Sequence, residues 1–336
     1  MHHRTLGRSG LSVSPLCLGT MMFGGETDEI AAGRIVGAAQ EAGVNFIDTS
    51  STYNAGRSEE MTGRAIAANR SHWVLATKVG NRVGAGPNDA GLSRRRIVLE
   101  CEQSLRRLGT DRIDIYYLHS EDPATPLLET VQAMAGLIRA GKILYFGVSN
   151  YRGWRIAEIA SICDRLGIGR PVVSQPYYNA LNRMPEVEHL PACAYYGLGV
   201  VPYSPLARGV LTGKYEPGAP PPPDTRAGRL DERMMQTEWR PESLAIAQQF
   251  RRHAEARGRR AGDFAIAWLL NDRAVSAVVA GPRTEEQWAG YLGALTYQFD
   301  ADDEALVNRL VAPGHPSTPG YNDPRYALEG RRPLTG

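Results

Sequence analysis

Short apolar runs recur along the chain at residues 16–18, 45–49, 73–79, 113–119, 143–150, 172–178, 199–204 and 275–281. Inside them apolar residues follow one another without strict alternation, as they do in strands buried on both faces. Helical periodicity fills the intervals near 28–42, 58–69, 93–108, 127–140, 153–166 and 185–196, with more near 242–270 and 284–294. Strands that alternate with helices in this way predict an α/β fold. Its form is expected to be a (β/α)8 TIM barrel, because eight units favour closure over an open doubly wound sheet.

Ahead of the first run, RTLG-RSG-LSVS reads as a hairpin with Gly7 and Gly10 at its turn. Such a hairpin would close the bottom of the barrel. Two segments break the rule of short connections. Residues 207–241, which include GAPPPPD, form a long excursion after the seventh strand, and the tail from about 313 to 336 is Pro- and Gly-rich and irregular. Long loops of a barrel reach over the C-terminal face, where ligands bind, and both segments are candidates to cover one. Residues 1–336 are read as a single domain.

Composition narrows the class. With 38 basic against 36 acidic residues, no electrostatic footprint for nucleic acid or a membrane surface is present. The opening MHHRTLGRSG lacks the apolar core of a signal peptide, and no run approaches the ~20 apolar residues of a membrane span. Cys17, Cys101, Cys163 and Cys193 are far apart and form no CxxC pair, which suits reduced thiols in a cytoplasmic protein. His2 and His3 are too few to hold a metal, and no metal is expected.

Candidate chemistry gathers at strand ends. Asp48 closes NFIDTS and Tyr53 follows it; Lys78 lies near the end of WVLATKVG and His119 near the end of IDIYYLHS. If these strands are parallel neighbours, a carboxylate, a phenol, an ammonium and an imidazole converge at one end of one sheet. A free phenol with pKa about 10 is a proton donor, and a nearby ammonium favours its ionised form. Lys78 would supply that ammonium, Asp48 would hold it charged and oriented, and His119 would hydrogen-bond a substrate oxygen. The set suits protonation of an oxygen that develops negative charge, as a carbonyl does when hydride reaches it. No side chain supplies hydride, and no GxGxxG follows the first strand, so a Rossmann cofactor site is absent. The loops after strands seven and eight offer another place. VVAGPRTEEQ carries Gly281 for close approach, Arg283, and a T-x-x-Q capping box of Thr284 and Gln287, which together make an anion site at a helix N-terminus.

The chain resembles the aldo-keto reductases over nearly its whole length, through LCLGTMMFG, FIDTSSTYN, LATKVG, YYLHSED, FGVSN, SQPYYN, PYSPLARGVLTGKY and AGPRTEEQ. The resemblance implies an eight-stranded barrel that binds NADPH (NADP+) in extended form. It implies the catalytic tetrad Asp48, Tyr53, Lys78 and His119, with Tyr53 as general acid. It assigns Ser149, Asn150 and Gln175 to the nicotinamide carboxamide, with Asp48 also at the cofactor, and Tyr203 as the aromatic on which that ring stacks. Ser204, Pro205, Leu206 and Gly209 match the stretch beside the pyrophosphate, with Lys214 adding charge. Gly281 belongs to the same cofactor set, Arg283 faces the 2′-phosphate, Gln287 lies near the adenine, and Gly19, Thr20 and Met21 form the loop at the barrel mouth. Where many relatives carry Asn four residues after that Gln, this chain has Tyr291. Arg283 argues for NADPH over NADH, since a guanidinium pairs well with a phosphate.

The substrate is expected to be a small-molecule carbonyl compound. Met22, Phe23, Tyr53, His119, Tyr151, Trp154 and the loop NRVGAGPNDAG are read as lining the mouth. Homo-oligomerisation is left open. Two other readings stand beside the reductase: a cofactor-binding regulatory subunit of the potassium-channel β type with slow turnover, and a Schiff-base lyase with Lys78 as nucleophile.

Overall fold

The structure is a computed structural model that describes residues 1–326. Two hairpin strands, β1 (Arg4–Thr5) and β2 (Ser12–Val13), pair antiparallel ahead of the main sheet. Eight parallel strands follow: β3 (Leu16–Gly19), β4 (Phe46–Asp48), β5 (Val74–Val79), β6 (Ile113–Leu118), β7 (Ile143–Ser149), β8 (Val173–Gln175), β9 (Gly199–Val200) and β10 (Val278–Ala280). Each pairs with its sequence neighbour, and β10 returns to pair with β3. The remaining seam is joined by Ser276 N to Val200 O at 2.8 Å and Val279 N to Pro202 O at 3.0 Å. The expected closed barrel is thus the observed architecture.

Period two along the strands divides the interior into two cores. Leu16, Leu18, Ile47, Leu75, Tyr116 and Leu118 face the helices, while Cys17, Phe46, Ala76, Ile115, Tyr117 and Val173 fill the lumen. Leu6 and Val13 of the hairpin join the lumen cluster, so the hairpin plugs the barrel from below. Gly7 makes that seat possible. Its φ is +56°, and a β-carbon there would lie 2.4 Å from Gly199 N.

The helices are α1 (Glu29–Glu41), α2 (Arg57–Ile66), α3 (Arg94–Leu108), α4 (Leu127–Arg139), α5 (Gly153–Leu166), α6 (His189–Tyr196), α7 (Glu232–Thr237), α8 (Pro241–Ala256), α9 (Ala261–Leu270), α10 (Glu285–Leu292) and α11 (Ala301–Leu310). The periodicity near 242–270 resolves into α8 and α9, separated at Gly258 with φ +66°. α11 lies outside the intervals of helical periodicity, although Asp300 and Asp303 form a reciprocal capping box at its start. The excursion 207–241 holds a short 3₁₀ segment (Ala207–Thr212) and α7. Of the tail, residues 313–326 are irregular as expected, and 327–336 lie outside the described residues.

Candidate active site

Register explains why three polar side chains meet. Gly19 pairs with Asp48, Asp48 with Ala76, and Lys78 with Tyr117. Asp48 shares the parity of Phe46, and Lys78 that of Ala76, so both point into the lumen at its upper end. His119 follows β6 with the parity of Ile115 and Tyr117, anchored by its N–H to Val79 O at 2.8 Å. Tyr53 arrives on a 3₁₀ turn (Tyr53–Gly56) in which Asn54 and Ala55 adopt φ of +49° and +56°. Non-glycine residues hold that conformation only where their surroundings enforce it. Asn54 is enforced by hydrogen bonds from its amide to Met21 O and Phe23 O, at 2.9 and 2.7 Å.

Lys78 is fully buried, and its three protons have three acceptors. These are a carboxylate oxygen of Asp48, the Thr49 carbonyl at 2.8 Å and the Tyr53 hydroxyl at 3.3 Å. The second oxygen of Asp48 accepts from Gln175 Nε2 at 3.1 Å. Desolvation, the largest influence on Lys78, pulls its pKa down; Asp48 and Tyr53 more than offset it, and the ammonium is held above its usual value. A charged, fully engaged amine is no nucleophile, which removes the basis of the Schiff-base reading.

Tyr53 shows a difference from the sequence expectation. Lys78 does pull the phenol down, but desolvation outweighs it and Asp48 opposes it, so the net shift is upward. The hydroxyl is therefore a protonated donor at neutral pH. The imidazole of His119 is held well below its usual pKa by desolvation and then by the cations Lys78 and Arg325. It is neutral, and Asn81 donates its amide to Nδ1 at 3.1 Å, with Ser50 Oγ 3.3 Å from the same nitrogen. Ser120 Oγ donates to the Asn81 carbonyl oxygen at 3.4 Å. With Nδ1 accepting, Nε2 carries the proton. The rings of Tyr53 and His119 stand edge to face, 6.1 Å between centroids.

These groups open into a cavity of about 1390 Å³ over the C-terminal ends of the strands. In the same cavity Tyr203 stacks on Tyr177, with centroids 5.7 Å apart. Its hydroxyl donates to Asn150 Oδ1 at 2.8 Å, and the Asn150 amide donates to His119 O and Ser149 Oγ at 2.9 and 3.0 Å. Ser149 Oγ donates to Gln175 O at 2.9 Å. A fixed, flat aromatic face thus adjoins the proton-transfer groups. Beyond it the chain turns through Ser204, Ala207, Arg208 and Gly209, all at positive φ, a strained run of the kind found at ligand clamps.

The far arm of the cavity is basic. Lys214, Arg226, Arg229 and Arg283 line it. Desolvation and the charges of Arg283, Arg226 and Arg229 pull Lys214 below its usual pKa. One carboxylate, Glu26, serves both Arg229 and Arg283, each at 2.9 Å, and ties the β3–α1 loop to the excursion and to the start of α10. At α10, Thr284 accepts from Gln287 N at 3.2 Å, but the Gln287 side chain reaches back to Arg283 N at 2.8 Å, one residue beyond a standard capping box. Excess positive charge in this arm, leading to a flat aromatic wall, suits an anionic ligand that carries an aromatic ring. Tyr291 also lines this arm, its phenol pushed up to about 12 by desolvation, against the pull of Arg226.

Of the other residues singled out in the sequence, Gly19, Met21, Met22, Pro205, Leu206 and Gly281 line the cavity. Thr20 is buried behind it, bonded to Asp48 O and Ser58, and Phe23 is buried in the outer core. Tyr151 is buried and Trp154 is 54% exposed, its N–H held by Glu188 at 2.8 Å; neither lines the cavity. Sequence reasoning passed over Glu26, Arg226, Arg229 and the tail residues Arg325 and Tyr326, which do. Among the described residues no cluster of His, Cys, Asp or Glu is placed to hold a metal ion, and no helix is long and apolar enough to cross a membrane.

The family model described as the Aldo/keto reductase family matches residues 15–312. A probable voltage-gated potassium channel subunit beta of Oryza sativa subsp. japonica is 38% identical over 300 residues, 88% of this chain and 91% of its own. An uncharacterized oxidoreductase, YrpG, of Bacillus subtilis (strain 168) is 36% identical over 334 residues, 96% of this chain and 99% of its own. An L-glyceraldehyde 3-phosphate reductase of Escherichia coli O157:H7 is 32% identical over 329 residues, 94% and 93% of the two chains.

Proposed function

We propose that this chain, which belongs to the aldo/keto reductase family of oxidoreductases, reduces aldehydes or ketones to alcohols with NADPH, Tyr53 acting as general acid. The observation that carries the reading is the Tyr53 hydroxyl, protonated and 3.3 Å from a buried ammonium, in one cavity with the Tyr203 face and the basic arm.

Bound reduced nicotinamide supplies the hydride. Ser149, Asn150, Gln175 and Tyr203 would hold that ring, and Lys214, Arg226, Arg229 and Arg283 the phosphates. The Nε2 proton of His119 orients the carbonyl oxygen, and Tyr53 delivers its own proton there as negative charge develops. The phenolate left behind lies beside Lys78, and Asp48 keeps that ammonium charged throughout. Arg283 supports NADPH over NADH. Four buried, free cysteines support a reducing, cytoplasmic setting.

Purified protein mixed with NADPH and 4-nitrobenzaldehyde should consume the reduced-nicotinamide absorbance, and Tyr53→Phe should abolish the loss. Tight NADPH binding with no turnover across a broad aldehyde panel would instead favour a second reading. That reading, a cofactor-binding regulatory subunit, is supported by the channel-subunit names of the rice and Arabidopsis thaliana relatives.

A further inference from the structure

The Tyr203 face beside Tyr53 and His119 is only as fixed as the ring it rests on. Tyr177 and Tyr203 lie just past β8 and β9 and pair in parallel, and Tyr203 N–H donates to Pro176 O at 3.0 Å. Residues paired in this way carry their side chains on one face of a sheet, so the backbone sets the two rings side by side. Tyr203 lines the cavity and Tyr177 does not, which makes Tyr203 the outer ring of the stack. The backbone leaves the plane of each ring free, because the second side-chain torsion of a tyrosine is broad. A hydrogen bond at the hydroxyl fixes it. Asn150 Oδ1 accepts that bond from Tyr203 at 2.8 Å, and Glu238 Oε1 accepts it from Tyr177 at 2.6 Å.

Glu238 follows α7 near the end of the excursion, and its backbone N–H donates to Met234 O at 2.8 Å. The side chain is fully buried. One carboxyl oxygen has Tyr177, and the other has no hydrogen-bond partner among the described residues. Desolvation holds the carboxyl above its usual pKa, against the Tyr177 hydrogen bond and the cations Arg208 and Arg240. A buried carboxyl with one oxygen unpartnered costs stability, and an apolar side chain of similar size would fill the same space without that penalty. Packing therefore gives no reason for a glutamate at this position. The Tyr177 hydroxyl does.

We propose that Glu238 is a positioning residue for hydride transfer: through Tyr177 it fixes the plane of Tyr203, and with it the tilt of the nicotinamide ring that Tyr203 would carry. This rests on the reading of Tyr203 as the face for that ring. Glu238 does not line the cavity and acts only through the stack. Hydride transfer needs a narrow range of distance and angle to the carbonyl carbon, and misplacement by about 1 Å is enough to slow such a step by about a hundredfold. A Tyr203 ring left free to rock would slow the transfer while the basic arm still held the cofactor's phosphates.

The test follows single-turnover reduction of 4-nitrobenzaldehyde by NADPH-loaded protein in Glu238→Leu, Glu238→Gln, Tyr177→Phe and the double variant Tyr177→Phe/Glu238→Leu. The NADP+ dissociation constant and the urea midpoint of each are measured beside it. The rate should fall roughly tenfold or more in Glu238→Leu and in Tyr177→Phe, and no further in the double variant, because one hydrogen bond is lost in all three. It should recover for the most part in Glu238→Gln, whose amide oxygen still accepts. NADP+ affinity should change far less than the rate. The double variant leaves neither partner unpaired, so its urea midpoint should match or exceed that of the unaltered protein. Rates unmoved in both single variants overturn the proposal, as do losses that add in the double variant or follow a fall in its midpoint. If the unaltered protein neither binds NADP+ nor reduces the aldehyde, it is the reading of the activity that fails. Carbon NMR of labelled tyrosines in the cofactor-free protein, assigned with Tyr203→Phe, then decides the tether. Tyr203 ring signals that shift or broaden in Glu238→Leu and return in Glu238→Gln uphold it, and unchanged signals overturn it.

Discussion

The Lys78 ammonium lies 3.3 Å from the Tyr53 hydroxyl, with its other two protons committed to Asp48 and to the Thr49 carbonyl. Lys78 therefore serves Tyr53 from behind and never faces the cavity. The distinction decides what each substitution should do.

Tyr53→Phe removes the proton donor and nothing else from the wall. Reduction of 4-nitrobenzaldehyde should fall by about 10²–10⁴-fold, the usual worth of a positioned acid. NADPH binding, followed by fluorescence titration, should change little. A large loss of cofactor affinity would place Tyr53 in binding and not in proton transfer.

Lys78→Met should cost both activity and stability. It leaves the Asp48 carboxylate buried without its cation, a penalty of about 3–5 kcal/mol. Adding Asp48→Asn should return part of that loss in urea unfolding, because the uncompensated charge is gone, without restoring turnover. Equal stability of the single and double variants would show that the pair is not coupled.

The pH profile follows from two opposite shifts. Tyr53 is pushed up, so the rate should stay flat through neutral pH and decline only in the alkaline range, above the ordinary phenol value of about 10. His119 is pushed down, so the folded protein resists its protonation while the unfolded chain accepts a proton below roughly 6.5. Its contribution to stability is present above that value and is lost as pH falls toward the folded pKa. Urea midpoints that rise on acidification through this window, after His119→Gln is used to isolate the contribution, would contradict the sign.

Asn81 is a positioning residue. Replaced by Asp, it would draw the proton to Nδ1 and leave Nε2 as an acceptor, the wrong tautomer for a carbonyl oxygen. The expected result is a loss of about tenfold or more in kcat/KM with NADPH affinity retained. Nitrogen NMR of His119 should show the tautomer change, and an unchanged tautomer would sink the argument.

Arg283→Ala should weaken NADPH more than NADH, by about tenfold, since only the former offers a phosphate to the guanidinium. It also frees Glu26 from one of its two partners. Equal weakening of both cofactors would assign Arg283 to the loop tie and not to the phosphate.

Much of this was legible in the chain. The apolar runs marked the barrel strands because parallel strands are covered on both sides, and a polar residue ending such a run has little choice but to face the lumen mouth or lie at its rim. That logic found Asp48, Lys78 and His119, and parity along the strands explains their convergence. It failed where the backbone leaves the strand. Trp154 follows β7 by only a few residues, yet Asn150 at φ +58° turns the chain and Glu188 holds Trp154 N–H on the outside. Phe23 was expected at the mouth, but the β3–α1 loop folds it into the outer core. Arg226 and Arg325 sit in segments without periodicity, and only tertiary anchors such as Arg233–Asp323 reveal that they reach the cavity.

Delivery of the Tyr53 proton to a carbonyl oxygen inside this cavity is the step on which the proposed reduction turns. Single-turnover reduction of 4-nitrobenzaldehyde by NADPH-loaded protein, compared with Tyr53→Phe, measures that step apart from binding and release. A rapid phase should appear in the unaltered protein and vanish in the variant while the loaded fraction stays equal. A variant that keeps the rapid phase would contradict it.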